Sequence, residues 1–355
     1  MHKLYGTVME GYKIDMQLTD LYKEEIAAVF ILSFLSFCFA MLLTPIYTHF
    51  AFKYKLWKRP RTHSVSGDQL TVINKLRIKR NLPRMAGLVT IIAVAIVTVV
   101  FNLDREQTWL PLAALFGAGV VGLIDDIINV KGLGDGAGGL RAPVKLGMTI
   151  MVGVAGALWF YYKLGFDAIN LPFMESLTVG WLIIPLFVLV IISTANAVNI
   201  SDGLDGLAGG LLISAYGAFG VIALFQGNFG IAAFCMTVVG ALLAYVWFNI
   251  APARFFMGDV GSFALGTGLG VIAMLTDTLF LLPIIGLVFV AEAGSSLIQI
   301  LSKKYLKRKI FTAAPLHHHL EAGGWPKTKV TMRFWVIGQV CAVIGVVIAL
   351  VGDFL

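Results

Sequence analysis

The chain has 355 residues, of which 58% are hydrophobic and only 13% are charged, and its mean hydropathy is +0.86. Soluble domains carry about 25% charged residues, so this composition excludes an ordinary soluble protein and indicates a membrane protein. The formal charge of +7 is explained by basic loops and anionic lipid headgroups, so we do not expect a nucleic-acid partner.

Apolar segments recur along the whole chain, each long enough to cross about 30 Å of hydrocarbon with about 20 residues. They predict one all-α, polytopic domain over residues 1–355, with a polar N-terminal extension at 1–25 and about ten transmembrane helices. The spans are predicted near residues 26–51, 85–103, 108–124, 143–162, 179–197, 206–226, 229–248, 262–276, 279–302 and 334–354.

The basic residues orient these spans, because Lys and Arg concentrate in loops that stay in the cytoplasm. With the N-terminus outside, only five of the 27 basic residues are extracytoplasmic: Lys3, Lys13, Lys23, Arg105 and Lys163. Both termini are therefore predicted outside. The predicted cytoplasmic loops lie near 52–84, 125–145, 196–206, 248–262 and 303–333.

Two adjacent acids, Asp125 and Asp126, end the apolar run 108–124 in the first of four polar segments. Neighbouring carboxylates repel each other, and a bound cation or basic neighbours would relieve the repulsion. A solvated helix end is the alternative interpretation of this pair.

In the second segment, NAVNISDGLDGLAGG, the residues Asn196, Asn199, Asp202 and Asp205 recur at a spacing of three. On a helix they would form one polar stripe, which is hard to reconcile with a lipid-facing surface. The glycines between them would let the backbone approach a nucleobase or phosphate. A structural turn is the alternative.

The third segment, FNIAPARFFMGDVGS, places Asn249 and an aromatic pair before Asp259 in a Gly-Asp-x-Gly turn. Oxygen ligands without thiolate or imidazole favour Mg²⁺ or Mn²⁺ over Zn²⁺. Phe255 and Phe256 are candidates for membrane anchors, and one of them for stacking on a base.

The fourth segment, APLHHHLEAGGWP, follows a basic run and contains His317, His318 and His319. Consecutive residues of a helix point about 100° apart, so three adjacent histidines do not chelate one metal from a regular helix. Imidazole donors beside Lys and Arg suit a diphosphate, whereas a solvated cluster is the alternative.

Together the four segments supply carboxylates, an amide stripe and cationic donors on one predicted membrane face. Carboxylates for a metal and donors for a diphosphate are what phosphoryl transfer to a lipid requires.

The motifs NAVNISDGLDGLAGG, FFMGDVGS and APLHHHLE, with the following GWP and RFW, occur in the order of a known family. The chain resembles the phospho-N-acetylmuramoyl-pentapeptide-transferases of the polyprenyl-phosphate N-acetylhexosamine-1-phosphate transferase superfamily. The resemblance implies UDP-MurNAc-pentapeptide as donor, undecaprenyl phosphate as acceptor, and UMP and lipid I as products. It also implies Mg²⁺ as cofactor and a homodimer of ten-helix protomers in the bacterial cytoplasmic membrane, with the active site on the cytoplasmic face.

The resemblance also implies roles for single residues. Asp125 and Asp126 match the paired aspartates, one of which deprotonates the acceptor or acts as nucleophile. Asp259 matches the Mg²⁺ ligand, and His318 matches the essential histidine. The positions that match substrate-binding residues are Lys79, Lys145, Asn199, Asp202, Asp205, Asn249, Phe256, His317 and His319, with Phe256 similar to the residue that stacks on uracil.

The chain departs from the family pattern at two places. The family has a lysine three residues after its second paired aspartate, whereas Asn129 stands here, with Lys131 as a candidate substitute. The usual Thr-Pro-Thr-Met-Gly-Gly stretch is Leu-Pro-Arg-Met-Ala-Gly at 82–87.

Two alternatives share part of this pattern. A UDP-GlcNAc:polyprenyl-phosphate GlcNAc-1-phosphate transferase would share the aspartates but lack the APLHHH motif. An ion-coupled transporter would carry its acids near the bilayer midplane on the broken helices of an inverted repeat.

Overall fold

The computed structural model describes residues 2–57, 82–133, 139–171 and 176–352, with side chains described from Lys23 onward. The described residues are almost entirely helical, which confirms the all-α class. One short antiparallel strand pair, β1 (Ala168–Ile169) and β2 (Leu177–Thr178), follows α4 and sets Ala168 opposite Thr178.

The helices follow the apolar segments in chain order. They are α1 (His2–Lys53), α2 (Gly87–Phe101), α3 (Trp109–Lys131), α4 (Ala142–Tyr162), α5 (Ile183–Ser201), α6 (Leu207–Phe225), α7 (Phe229–Asn249), α8 (Gly258–Leu275), α9 (Leu282–Ile285), α10 (Leu287–Leu301), α11 (Leu316–Ala322) and α12 (Lys327–Val351). Short 3₁₀ turns precede α5 and α9, and one π-helical turn, Ser302–Leu306, follows α10.

Every predicted span coincides with an apolar helix, but fewer than ten reach full spanning length. Within the described ranges, eight helices are long and apolar enough to cross a membrane, or nine if one bent pair counts as a single span. That pair, Leu279–Ile285 with Leu287–Leu306, bends by 80°. The remaining predicted span is α2, which has 15 residues and is only about 22 Å long.

The N-terminal extension is helical from His2 and continues without a break into the first span. The composition of residues 1–25 predicted only a polar segment. We therefore find one long helix where the sequence indicated an extension followed by a span.

Helix α8 lies at the centre of the bundle, since every residue in it except Asp259 is buried. It packs most extensively against α3 and α5. A Cβ added at Gly122 of α3 would lie 2.2 Å from the carbonyl oxygen of Asp259, so the two helices meet backbone to backbone. Small residues allow such close crossings in membrane bundles, and this one brings the acids of α3 beside Asp259.

Candidate active site

The paired acids Asp125 and Asp126 project from the body of α3, which continues for more than a turn to Lys131. The expectation that the helix ends on this pair is therefore wrong, and so is the alternative of a solvated helix end, because both side chains are buried. Asn129 lies one turn further along, and its Nδ2 donates to Asp125 Oδ2 at 3.0 Å. The other oxygen, Asp125 Oδ1, accepts the Leu140 backbone N–H at 2.7 Å.

Asp126 connects α3 to the start of α8. Its Oδ2 accepts the Val260 backbone N–H at 3.0 Å, whereas its buried Oδ1 has no hydrogen-bond partner among the described residues. Gly258 has φ +78°, and a Cβ there would lie 2.5 Å from Asp126 Oδ2. The first glycine of the Gly-Asp-x-Gly turn is thus required both by its backbone conformation and by the neighbouring carboxylate.

Two cations offset this concentration of acids. Lys145 Nζ lies 2.5 Å from Asp259 Oδ2 and 3.5 Å from Asp125 Oδ2, and 4.1 Å from the centre of the Phe263 ring. Arg84 Nη2 lies 4.0 Å from Asp259 Oδ1. Burial lowers the pKa of the Arg84 guanidinium, but Asp126 and Asp259 outweigh this and raise it above its usual value.

The expected polar stripe of the second segment extends only to the end of α5 at Ser201. Asn199 lies inside the helix and donates through Nδ2 to Ser262 Oγ at 2.8 Å. Asp202 is the C-cap and Asp205 lies in the following turn, so these two acids do not continue a helical stripe. The turn ends at Gly206, whose φ of +77° starts α6 in a new direction.

Both acids of this turn lie beside the third segment. Burial raises the pKa of the Asp202 carboxyl to about 7, although the nearby Arg84 lowers it. Asp205 Oδ2 accepts the Ala253 backbone N–H at 3.1 Å. The loop before α8 is therefore held against the turn after α5.

Asn249 joins the same two loops with both ends of its amide. Its Oδ1 accepts the Gly206 backbone N–H at 2.9 Å, and its Nδ2 donates to the Phe255 carbonyl at 2.7 Å. These contacts give the buried Asn249 a positioning role in the structure as it stands. Substrate contact by this amide stays a prediction.

The two phenylalanines before Asp259 have different environments. Phe255 is buried and packs against Tyr47, Tyr245 and Phe248, so its interpretation as a membrane anchor is wrong. Phe256 is half-buried, and its backbone pairs with the carbonyl of Pro83 and the N–H of Ala86. Of the pair, Phe256 is the more exposed, and its stacking on a base stays a prediction.

The histidine motif contains a buried acidic hydrogen-bond partner that the sequence analysis did not identify. Glu292 of α10 accepts the backbone N–H of His317 at 3.0 Å and lies 2.6 Å from His317 Nδ1. The other ring nitrogen, Nε2, is buried without a partner among the described residues. A Cβ at Gly203 would lie 2.3 Å from it, so His317 faces the Asp202–Asp205 turn. A lone acid inside an apolar run was the available signal for Glu292.

The next two histidines have separate partners. His318 Nδ1 lies 2.6 Å from Glu321 Oε2, and His319 Nδ1 accepts the Thr312 backbone N–H at 3.2 Å. Burial would raise the pKa of Glu321, but the hydrogen bond with His318 and the charge of Lys327 hold it below the usual value. The three rings thus point to different partners, as the helical spacing predicted.

Most of the predicted site residues are therefore brought together by four separated chain segments. Asn129 contacts Asp125 as a neutral donor, whereas Lys131 is exposed at the end of α3. Substitution of Lys131 for the family lysine stays a prediction. Lys79 lies outside the described residues. Within the described ranges, no group of three or more His, Cys, Asp or Glu side chains has an arrangement that holds a metal ion.

The acidic site lies in a region of this membrane protein that matches a class of transferases. Residues 108–277, which run from the start of α3 to just past α8, match the sequence profile of glycosyl transferase family 4. This region contains the paired aspartates, the Asp202–Asp205 turn and Asp259.

Similarity over nearly the whole chain identifies the family. The chain is 38% identical over 342 residues to the phospho-N-acetylmuramoyl-pentapeptide-transferases of Chloroflexus aggregans and Chloroflexus aurantiacus, covering 92% of this chain and 91% of each relative. It is 36% identical over 321 residues to the protein of the same name from Bacillus mycoides, covering 88% of this chain and 95% of the relative. The chain belongs to the phospho-N-acetylmuramoyl-pentapeptide-transferase family.

Proposed function

We propose that the protein transfers phospho-MurNAc-pentapeptide from UDP-MurNAc-pentapeptide to undecaprenyl phosphate, which yields lipid I and UMP. This is the first membrane step of peptidoglycan synthesis and serves cell-wall growth, cell shape and division. The observation that carries the proposal is the convergence of Asp125, Asp126 and Asp259 beside Lys145 and the turn after α5, in a chain similar to named transferases over about nine tenths of its length.

The reaction is a displacement at phosphorus. An oxygen of the acceptor phosphate attacks the sugar-proximal phosphorus of the donor, and the bond from that phosphorus to the UMP oxygen breaks. Asp125 or Asp126 takes the acceptor's proton, and both remain candidates for the base or nucleophile. Both oxygens of Asp125 already accept hydrogen bonds, whereas Asp126 Oδ1 is unengaged, a difference that favours Asp126 as base.

The remaining residues bind and orient the donor. Lys145 and Arg84 offset the negative charge of the diphosphate, and the histidine motif adds imidazole donors. Asn199, Asp202, Asp205 and Asn249 shape the nucleoside pocket, with Phe256 stacked on the uracil. His317, His318 and His319 approach the diphosphate from α11, and Lys79 is a further basic position in this proposal.

The donor atoms at Asp259 fit Mg²⁺ as cofactor. Among the described residues, Asp259 and Asp125 both approach the Lys145 ammonium, so two carboxylates converge at a point that already holds a cation. Mg²⁺ usually takes one or two carboxylates, with water and substrate phosphates completing its shell, so a cluster of three protein ligands is not required. Asp259 would hold the ion, which, when bound, neutralises charge on the diphosphate and the leaving UMP.

The proposal also includes the orientation of the protein in the membrane and its oligomeric state. The distribution of Lys and Arg supports a cytoplasmic active site in the bacterial inner membrane, with both termini outside. A homodimer follows from the family resemblance.

Neither alternative function is favoured. The chain carries the APLHHH motif that a UDP-GlcNAc-using transferase would lack. A broken helix with a buried acid does occur at α9 and α10, as in transporters. Its acid, Glu292, is bonded to His317 instead of lining an ion path.

The deciding experiment measures UMP release by the detergent-purified protein given UDP-MurNAc-pentapeptide, undecaprenyl phosphate and Mg²⁺, with UDP-GlcNAc as the competing donor. Release with the muramoyl donor alone, abolished by EDTA, is the expected result. Release with UDP-GlcNAc alone would show that the protein is a UDP-GlcNAc:polyprenyl-phosphate GlcNAc-1-phosphate transferase. No release with either donor would contradict a transferase function.

A further inference from the structure

A cavity outside the carboxylate site lies between the ends of α1 and α7. It has a volume of about 630 Å³. Its lining residues are Thr44, Pro45, Thr48, His49, Phe52, Lys53, Phe248 and Arg254. Helix α7 ends at Asn249, which is part of the candidate active site, so the cavity opens at the same end of the bundle.

Helix α1 presents two adjacent rows of side chains to this cavity. Thr44, Thr48 and Phe52 form one row at a spacing of four, and Pro45 starts a second row that continues through His49 to Lys53. Residues four apart are neighbours on a helix face. The wall therefore has Pro45 and two threonines toward the middle of the helix, with both threonine hydroxyls bonded to the α1 backbone, and Phe52 and the cation Lys53 at the helix end.

Arg254 completes the cationic end from the opposite side. Its backbone N–H donates to the Phe248 carbonyl at 2.9 Å, and its Cζ lies 5.9 Å from the centre of the Phe248 ring. Within the described ranges, Arg254 and Lys53 form no ion pair with a carboxylate, and no acidic side chain lines the cavity. The cationic end of the cavity is therefore suited to a bound anion.

We propose that this cavity binds the phosphate headgroup of an anionic bilayer phospholipid. Lys53 and Arg254 contact the phosphate by charge-assisted hydrogen bonds. The apolar side chains of Pro45, Phe52 and Phe248 contact the first part of an acyl chain. Basic residues at the cytoplasmic end of a span are positioned for the anionic lipids of that leaflet.

The observations favour a bilayer phospholipid over the polyprenyl phosphate acceptor. The acceptor phosphate must reach the cluster of Asp125, Asp126 and Asp259, and none of these residues lines the cavity. Tyr47 lies on another face of α1, where its hydroxyl donates to the Arg84 carbonyl and its ring contacts Phe255. The cavity face and the active-site face of α1 are thus different.

The test measures binding of phosphatidylglycerol and phosphatidylcholine to the detergent-purified full chain by native mass spectrometry. The variant is Lys53→Gln/Arg254→Gln. The matched control is Arg105→Gln/Lys163→Gln, which removes the same charge from exposed positions at the opposite ends of α2 and α4. We expect the variant to bind phosphatidylglycerol about thirtyfold more weakly, with the control and phosphatidylcholine binding unchanged.

Equal phosphatidylglycerol affinity in variant and wild type, or an equal loss in the control, would overturn the proposal. So would a raised KM for undecaprenyl phosphate in the variant with phosphatidylglycerol binding intact, because the cavity would then serve the acceptor. Lys53→Gln alone, at an exposed helix end, tests the site if the double variant does not fold, with an expected loss of about fivefold. Lipid binding is measured without turnover, so its failure is distinguishable from failure of the transferase function.

Discussion

Some polar atoms of the candidate site are bonded to the protein itself, and others are left for a ligand. Asn249 uses both ends of its amide on backbone groups. Asp126 Oδ1 and His317 Nε2, in contrast, are buried without partners among the described residues. Because an unpaired buried polar atom costs about 1–3 kcal/mol, we expect both atoms to gain a partner when substrate binds.

Asp259→Asn tests the role of the half-buried acid at the start of α8. The change keeps the shape of the side chain but removes the charge that would hold Mg²⁺ and that pairs with Lys145. We expect Mg²⁺-dependent UMP release to fall at least a hundredfold, equivalent to about 2.7 kcal/mol of transition-state stabilisation. Full turnover with unchanged Mg²⁺ dependence would contradict both the assignment of Asp259 as the Mg²⁺ ligand and the proposed mechanism.

Glu292→Gln tests whether this residue positions His317. The carboxylate only accepts hydrogen bonds, so it requires a proton on His317 Nδ1 and leaves Nε2 to face the turn at Gly203. A glutamine amide also donates and no longer selects that tautomer. We expect the KM for UDP-MurNAc-pentapeptide to rise about tenfold, or about 1.4 kcal/mol, with a smaller change in kcat.

The control for this prediction is Ser295→Ala, which removes the hydroxyl that donates to the Glu292 backbone carbonyl at 2.8 Å but leaves the carboxylate in place. Its KM is expected to match the wild type. If Glu292→Gln lowers thermal stability and leaves KM unchanged, the residue is structural only.

At the scale of elements, the crossing of α3 and α8 sets the spacing of the acids. Val260 donates its backbone N–H to Asp126 across this crossing, and Gly122 faces the Asp259 carbonyl. The bend between α9 and α10 positions the histidine motif, because it places Glu292 under α11 and its histidines. Both arrangements depend on helix packing and not on any single loop.

Gly122→Ala is predicted to separate these two helices. The added methyl group would lie 2.2 Å from the Asp259 carbonyl oxygen, and overpacking of this kind costs about 1–3 kcal/mol. We expect a lower Tm and at least a tenfold loss of turnover, measured by thermal denaturation in detergent and by UMP release. Gly217→Ala, in α6 with nothing within 4 Å, is the matched control and should change stability by no more than about 1 kcal/mol. Equal effects of both substitutions would show that the close crossing is not what positions Asp259.

At the scale of the whole molecule, the site is assembled at one end of the bundle from segments far apart in the chain. Asp259 meets Lys145, which is 114 residues away, and Asp126 meets Val260, which is 134 residues away. Substrate from the cytoplasm and acceptor from the bilayer can reach one point only if that end lies at the cytoplasmic interface. The orientation of the bundle is therefore part of the proposed function.

Cysteine labelling in whole cells tests this orientation. We expect Lys163→Cys to react with a membrane-impermeant maleimide in intact cells, and Lys304→Cys to react only after permeabilisation, because both positions are exposed but lie at opposite ends of the bundle. The native Cys38, Cys235 and Cys341 lie within spans and serve as the unlabelled background. The reverse labelling pattern would place the site outside and contradict the proposed use of a cytoplasmic nucleotide sugar.

The sequence by itself determined the elements and the chemical groups of this protein. Runs of about 20 apolar residues predict spans because each must satisfy its own backbone hydrogen bonds in hydrocarbon, and the helices fall where the runs do. The aspartate, glycine and histidine motifs indicated the four segments of the site and the family. The chemistry of those side chains follows from the residue type and its neighbours in the sequence, without any knowledge of the fold.

Only the tertiary structure decided how these groups meet. The end of α5 at Ser201, the Glu292–His317 pair, and the approach of Lys145 to both Asp125 and Asp259 could not be read from spacing. The contacts between distant residues depend on which helices pack together and how closely, and that is set by small residues such as Gly122 at each crossing. Because each such contact involves two segments that are distant in the chain, it cannot be predicted from the sequence of either segment alone.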